Sequence, residues 1–139
     1  MQAYDLAGSA VVANALDTPI ASGETEYTRY GFQDMLEKKS ADILMPDLER
    51  VGGVSEWLKV AHMAAAQDIP VSPHIFTEHS LQLCAAVSNV NYAEHMPWFT
   101  GLFKEKMELV DGDIIIPNRP GMSFSFDPDA VERFTIPLP

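Results

Sequence analysis

The sequence has little cysteine, few basic side chains and no long apolar run. Cys84 is the only cysteine among 139 residues, so no disulfide forms within the chain, as is usual in a reducing compartment. Nine Lys and Arg against 20 Asp and Glu give a net charge of −11, which repels nucleic acid and anionic lipid. No apolar run approaches the roughly 20 residues of a membrane helix, and no signal-like leader opens the chain. We therefore expect a cytoplasmic protein with no nucleic-acid or membrane partner.

What the chain does contain is an alternation of two kinds of segment. Its hydrophobic content of 47% and its length suit one ordinary globular unit. Amphipathic segments predict helices over 5–16, 28–39, 52–67 and 79–88. Short apolar runs that end in polar residues predict strands over 18–24, 41–47, 69–74 and 91–95. Such an order requires crossover connections, so the sequence predicts an α/β fold with about four parallel strands and helices packed outside.

The clearest of the predicted helices is 52–67. Its glycine entry is followed by Ser55 as a candidate N-cap, and Val54, Leu58, Ala61 and Ala65 recur at helical spacing. Trp57 in the same segment is expected to pack within the core.

After Glu94 the alternation stops. The dipeptide Asp111-Gly112 lies between two apolar runs and predicts a hairpin turn, and 122–126 alternates as a strand does. Asp127 and Pro128 are a typical N-cap and first residue of a helix. We predict two parts, the α/β unit at 1–100 and a small β-rich tail at 101–139.

Each predicted strand ends on an ionisable residue. These are Glu24, Asp47, His74 and Glu94, separated by 23, 27 and 20 residues, about one β-α unit each. Alone, each has an ordinary explanation as a helix-dipole anion, a turn residue, a structural histidine or a solvated carboxylate. Because the carboxyl ends of parallel strands gather on one face, four such residues in register favour a shared site.

The chemistry of the four residues is coherent. A carboxylate at Asp47 can accept a hydrogen bond from one imidazole nitrogen of His74 and fix its tautomer, which leaves the other nitrogen as a general base or acid. Glu94 offers an acid or a hydrogen-bonding partner for a substrate. Glu24 offers a hard oxygen ligand of the kind that Mg²⁺ uses. The candidate catalytic residues are thus His74, Asp47 and Glu94, and the candidate metal ligand is Glu24.

The segments "PIASGE", "DILMPDLERVGGVSEWLKVAHMAA", "IPVSPHIF" and "YAEHMPW" resemble, in that order, the last four barrel strands of the enolase superfamily, in its mandelate racemase subgroup. The resemblance covers about residues 5–136. It implies a (β/α)8 barrel with a separate capping domain, Mg²⁺ held by three carboxylates, and removal of the proton beside a substrate carboxylate. By position, Glu24 matches the third metal ligand, Asp47 and His74 the catalytic pair, and Glu94 a substrate-contacting acid at the eighth strand.

Within that subgroup, "GETEYTRYGF" and "EHMPW" followed by "LFKEKMELVDGDIIIPNRPG" look most like acid-sugar dehydratases. The resemblance then implies loss of the proton at carbon 2 and of the 3-hydroxyl, which gives a 2-keto-3-deoxy acid. A mandelate-racemase-like racemase or epimerase of 2-hydroxy acids uses the same residues, so this alternative stays open.

Measured against the resemblance, the sequence supplies only the C-terminal half of the barrel. The first four strands, two of the three metal carboxylates and the capping domain have no counterpart in it, so the Mg²⁺ site is incomplete. The runs at 18–22 and 91–94 are expected to have open edges, which predicts a homo-oligomer or pairing with an N-terminal half. We expect the chain alone to be inactive, and a non-catalytic half-barrel subunit remains a third interpretation.

Overall fold

A computed structural model describes residues 4–137 of the chain. Residues 1–3 and 138–139, the outermost parts of the two predicted units, lie outside this range. The helices are α1 (Leu6–Ala15), α2 (Thr28–Lys38), α3 (Leu48–Val51), α4 (Val54–Ala65), α5 (Thr77–Ala86) and α6 (Pro128–Phe134), with a 3-10 turn at Thr100–Leu102. The strands are β1 (Ala21–Ser22), β2 (Ile43–Leu44), β3 (Glu108–Val110) and β4 (Asp113–Ile115). Within the described range, no helix has the length and hydropathy needed to cross a bilayer.

The four predicted strand segments lie side by side, in chain order and all parallel. β1 pairs with β2 in the register Ala21↔Ile43, and single parallel bridges join Leu44 to Val71 and Val71 to Val90. The fold is therefore α/β, as predicted, but only the first two of the about four predicted parallel strands form a ladder. The third and fourth segments meet their neighbours at isolated bridges, in part because prolines at 70 and 73 have no N–H to donate to a ladder.

The core lies between this parallel layer and the helices on one side of it. α2 packs on α4, and the buried side chains include Phe32, Leu44, Val51, Trp57, Val60 and Val71.

In α4 the N-cap is Gly53 rather than the predicted Ser55, because the helix starts two residues earlier than that cap requires. The predicted face is also rotated: Trp57, Val60, Ala61 and Ala64 are buried, whereas Val54 is exposed.

The tail carries the predicted hairpin but not the predicted strand at 122–126. β3 and β4 are antiparallel around Asp111-Gly112, and α6 starts at Pro128 with Asp127 as its N-cap. In the run 122–126, Phe126 pairs with Phe103 at a single antiparallel bridge, while Ser123 has a φ of 70° and its hydroxyl donates to the carbonyls at 117 and 119, so no continuous strand forms. The Gln82 amide of α5 donates to the same hydroxyl and ties the tail to the α/β unit. The division at residue 100 stays a prediction.

Candidate active site

Asp47 lies directly after β2 and uses both of its carboxylate oxygens. Its Oδ1 accepts the backbone N–H groups of Glu49 and Arg50, each at 2.9 Å, and so caps α3. Its Oδ2 lies 2.7 Å from Nδ1 of His74. The residue is fully buried, at 0% exposure, so water does not compete for these contacts. The carboxylate is thus held from two sides and cannot rotate without breaking at least one set of bonds.

The second ring nitrogen of His74, Nε2, lies on the side of Glu94, away from Asp47. Because a carboxylate only accepts hydrogen bonds, the 2.7 Å contact requires the imidazole to carry a proton on Nδ1. In the neutral ring, Nε2 then has the free lone pair. The side chain is 17% exposed, compared with 1% for that of Asp47. A molecule that reaches this side of the ring therefore meets Nε2, with Asp47 behind the ring.

Glu94, from the fourth parallel segment, lies at that open nitrogen. Its Oε2 is 3.7 Å from Nε2 of His74 and accepts the backbone N–H of Ile75 at 3.3 Å. Its own carbonyl accepts the hydroxyl of Thr77 at 3.1 Å. An imidazolium formed at His74 lies between two carboxylates.

The chain after His74 turns through an unusual backbone conformation. Ile75 and Phe76 have φ of 31° and 43°, in the left-handed region that residues with a Cβ seldom adopt. The ring of Phe76 stacks on that of Phe99 at 4.8 Å between centroids. This strained pair directs the Ile75 N–H at Glu94, and strain of this kind is concentrated at functional sites.

Glu24 closes the first parallel segment but does not touch the other three residues. Its Oε2 accepts the adjacent Gly23 N–H at 3.2 Å, and Arg50 donates to its carbonyl at 2.9 Å. In the described part of the chain, its carboxylate makes no hydrogen bond or ion pair with Asp47, His74 or Glu94. The fold therefore joins three of the four predicted site residues by contact and leaves Glu24 apart from them.

The backbone beside Glu24 depends on glycine. Gly23 has a φ of +129°, and a Cβ built on it would lie 2.7 Å from Cε1 of the buried Phe32. Any side chain at this position would therefore move the segment that carries Glu24.

The surroundings of Glu24 are negatively charged, but they do not form a complete metal site. The pKa of Glu26 is raised, mainly by burial and further by the charges of Asp34 and Glu24. Among residues 4–137, no group of three or more His, Cys, Asp or Glu side chains is arranged to hold a metal ion. One carboxylate does not fit the oxygen set that Mg²⁺ requires, so the residues present do not hold this ion by themselves.

Two residues near the site escaped prediction from sequence. Thr77 is fully enclosed, and its hydroxyl also lies 3.3 Å from Nδ1 of His95. A threonine that opens a helix is a frequent local pattern, so the sequence carried no signal for this contact. Trp57 was expected to pack only, yet its indole N–H bonds to the strand end that carries Asp47.

Most of the chain is similar in sequence to known proteins. The profile of the enolase C-terminal domain-like family matches residues 1–130. The L-talarate/galactarate dehydratase of Salmonella typhimurium is 38% identical over 130 residues, which cover 94% of this chain and 33% of that protein. The D-xylonate dehydratase of Haloferax volcanii is 37% identical over 135 residues, 91% of this chain and 33% of that enzyme. The chain thus spans about a third of the length of these relatives.

Solved structures show the same likeness. The L-talarate dehydratase from Polaromonas sp. JS666, complexed with Mg and L-glucarate, superposes with a TM-score of 0.89 at 36% identity, over 95% of this chain and 37% of that one. An enolase from Bradyrhizobium, complexed with magnesium and mandelic acid, gives a TM-score of 0.91 at 28% identity, over 99% of this chain and 38% of that one.

Proposed function

Because the chain belongs to the enolase C-terminal domain-like family, we propose that it is the part of a Mg²⁺-dependent acid-sugar dehydratase that carries the proton-transferring histidine. The observation that carries this proposal is the 2.7 Å contact between Asp47 Oδ2 and Nδ1 of the partly exposed His74 ring, which leaves Nε2 free to exchange a proton. Dehydratases of acid sugars are among the relatives that match most of this chain.

In this mechanism His74 Nε2 moves a proton at the substrate. The proton on carbon 2, beside the carboxylate, is taken by a base outside this chain, and His74, which enters the step as imidazolium, gives its Nε2 proton to the 3-hydroxyl, which leaves as water. The enol that remains between carbons 2 and 3 ketonises to a 2-keto-3-deoxy acid. Asp47 keeps Nδ1 protonated throughout, so the ring gains and loses its proton only at Nε2.

Glu94 contributes binding and charge. Its Oε2 lies 3.7 Å from Nε2 of His74, and the Glu94 side chain is 38% exposed, so a substrate hydroxyl can hydrogen-bond to it while staying within reach of the ring. The N–H of Ile75 holds the same oxygen in place. We assign Glu94 as the residue that orients the substrate against His74.

Glu24 is proposed to supply one oxygen ligand to the Mg²⁺. When bound, such an ion would polarise the substrate carboxylate and ease loss of the neighbouring proton. The described residues do not complete its site, so the other ligands would come from polypeptide outside this chain and no proton transfer is assigned through the metal. For the same reason we expect negligible turnover by these 139 residues alone.

The partner of the half barrel is a proposal of the same kind. Within the described residues, β1 and the segment around Val90 each have a parallel neighbour on one side only. Unpaired strand edges favour association, so we propose a homo-oligomer or pairing with an N-terminal half. A sugar acid is the proposed substrate.

A second candidate function is racemisation or epimerisation of a 2-hydroxy acid. The likeness to the Bradyrhizobium enolase with mandelic acid favours it, since a histidine and carboxylate pair can return a proton to carbon 2 as well as to a hydroxyl. In D₂O, racemisation places deuterium at carbon 2 of both epimers, whereas dehydration yields a 2-keto acid.

The test is a chimera in which this chain replaces the matching third of the Salmonella L-talarate/galactarate dehydratase. It is incubated with Mg²⁺ and a panel of acid sugars in D₂O, and 2-keto acid is measured. We expect the chimera to form 2-keto acid and His74→Asn to abolish its formation. The matched control is His62→Asn, which removes an exposed histidine in α4 and should keep the activity. A folded chimera that gives no product with any acid sugar, or that keeps its activity in His74→Asn, would contradict the proposal.

A further inference from the structure

We infer that Trp57 is a positioning residue for the pair Asp47 and His74, acting through the carbonyl of Pro46. Trp57 is fully buried in α4, and its Nε1–H donates to that carbonyl oxygen at 3.2 Å. The backbone N–H of His74 donates to the same oxygen at 3.3 Å. One carbonyl thus receives a donor from the helix and a donor from the neighbouring parallel segment.

This shared carbonyl fixes the peptide unit from which Asp47 projects. A carbonyl oxygen has two lone pairs, and here both have a donor, so the plane of the peptide between Pro46 and Asp47 cannot rotate freely. Beyond the backbone bonds of Leu44, two contacts at this end join the two chain segments, one through the backbone of His74 and one through its ring at Asp47. The 2.7 Å contact between the two side chains depends on both segments staying in this register.

The indole N–H has a role that packing alone does not explain. The rings of Trp57 belong to the main hydrophobic core, where a phenylalanine would also bury a large apolar surface. The N–H is different, because a buried donor must be paired, and here it is paired with the residue directly before Asp47. Trp57 therefore connects the core to the site by a directional contact.

The consequence for catalysis rests on the proposed function, since holding His74 affects turnover only if His74 moves a proton. The consequence for geometry does not depend on it. Without the indole N–H, the Pro46 carbonyl keeps one donor and can tilt, which loosens the register of Asp47 against His74.

The experiment is nitrogen-15 NMR of the His74 ring in this chain and in Trp57→Phe. We expect the Nδ1–H proton of His74 to exchange with solvent about fivefold faster in the variant, the change in a local opening equilibrium that one ordinary hydrogen bond produces. The matched control is Val60→Ala, a cavity in the same helix at another fully buried residue that makes no side-chain hydrogen bond. It should lower stability and leave the ring signals unchanged.

A second variant removes the effect of ring size. In a Trp98→Phe background, benzothienylalanine incorporated in place of tryptophan leaves the bicyclic shape at position 57 and replaces only the N–H by sulfur. We expect the same faster exchange as in Trp57→Phe. Unchanged exchange in both variants, or an equal change in Val60→Ala, would overturn the inference and leave Trp57 as a core residue.

Kinetics in the chimera separate this inference from the proposed function. Trp57→Phe should lower kcat by about tenfold with little change in KM, because a small misplacement of a catalytic group acts on the chemical step. A perturbed ring in NMR together with no dehydratase activity in any chimera means that the inference stands and the proposed function fails. Full dehydratase activity of the Trp57→Phe chimera together with unchanged His74 ring signals means that the proposed function stands and the inference about Trp57 fails.

Discussion

Replacing Asp47 by asparagine or by alanine separates the two tasks of its carboxylate. Asparagine can still accept the N–H groups of Glu49 and Arg50 and cap α3, since Asn and Asp are comparable N-caps. Toward His74, however, its amide presents a donor where the carboxylate presented an acceptor. We expect the ring to change tautomer, so that Nδ1 accepts and Nε2 carries the proton. Alanine loses both contacts.

The expected magnitudes follow from the contacts. Loss of the N-cap costs about 1 kcal/mol, and loss of a buried hydrogen bond to a charged group costs about 1.5–3 kcal/mol. Asp47→Ala should therefore lower the free energy of unfolding by about 2.5–4 kcal/mol, and Asp47→Asn by about 1–2 kcal/mol. In the chimera, the wrong tautomer should lower kcat by about 10⁴-fold, as it does when asparagine replaces the aspartate of a serine-protease triad.

The assays are chemical denaturation of the variants and nitrogen-15 NMR of the His74 ring. Wild type should show the proton on Nδ1, and Asp47→Asn should show it on Nε2 with α3 retained. The reasoning is refuted if Asp47→Asn keeps the wild-type tautomer, or if Asp47→Ala unfolds within about 0.5 kcal/mol of wild type, the range of a surface substitution.

Three further changes test other parts of the chain. The pKa of Glu56 is lowered to about 2, first by the hydrogen bond from Lys59. The ionised carboxylate therefore stabilises the fold fully above the unfolded pKa of about 4.3, and this contribution is lost as the pH falls toward 2. In urea titrations, Glu56→Gln should be less stable than wild type at pH 6 and should match it near pH 2. Burial raises the pKa of the Cys84 thiol to about 11. Because only the thiolate reacts, alkylation of Cys84 by iodoacetamide at pH 8 should be on the order of 100-fold slower than that of a free cysteine. An alkylation rate equal to that of the free thiol would contradict the burial of Cys84. Gly23→Ala should lower the free energy of unfolding by about 2 kcal/mol, because the new methyl group would clash with the buried Phe32 ring and the backbone at this position has a positive φ. The control Gly101→Ala has no atom within 4 Å of the new Cβ, so it should change the free energy of unfolding little.

Much of the fold was readable from local sequence signals. Helix 28–39 was predicted within one residue of α2, and the turn at Asp111-Gly112 and the cap at Asp127 were also correct, because each depends on neighbours in the chain. The strands were overestimated. An apolar run indicates burial, but the number of ladder bonds depends on neighbouring segments and on prolines within the run.

The candidate site was predictable only in outline. The spacing of strand ends indicated that four residues gather on one face. The described contacts join Asp47, His74 and Glu94, whereas Glu24 makes no contact with them. The helix α3 was not predicted, because four residues give no periodicity, although Asp47 is its N-cap. The bond from Trp57 to the Pro46 carbonyl crosses 11 residues and two elements, and no local pattern reports it.

The central claim is that Nε2 of His74, held by Asp47, is the atom that exchanges a proton with the substrate. The most direct measurement is a crystal structure of the chimera with Mg²⁺ and a hydroxamate analogue of an acid sugar. We expect Nε2 of His74 within about 3.2 Å of the ligand oxygen that corresponds to the leaving 3-hydroxyl or to the hydroxyl next to it. Nδ1 should keep its hydrogen bond to Asp47. A ligand bound with the imidazole turned away, or with Asp47 and His74 separated, would contradict it.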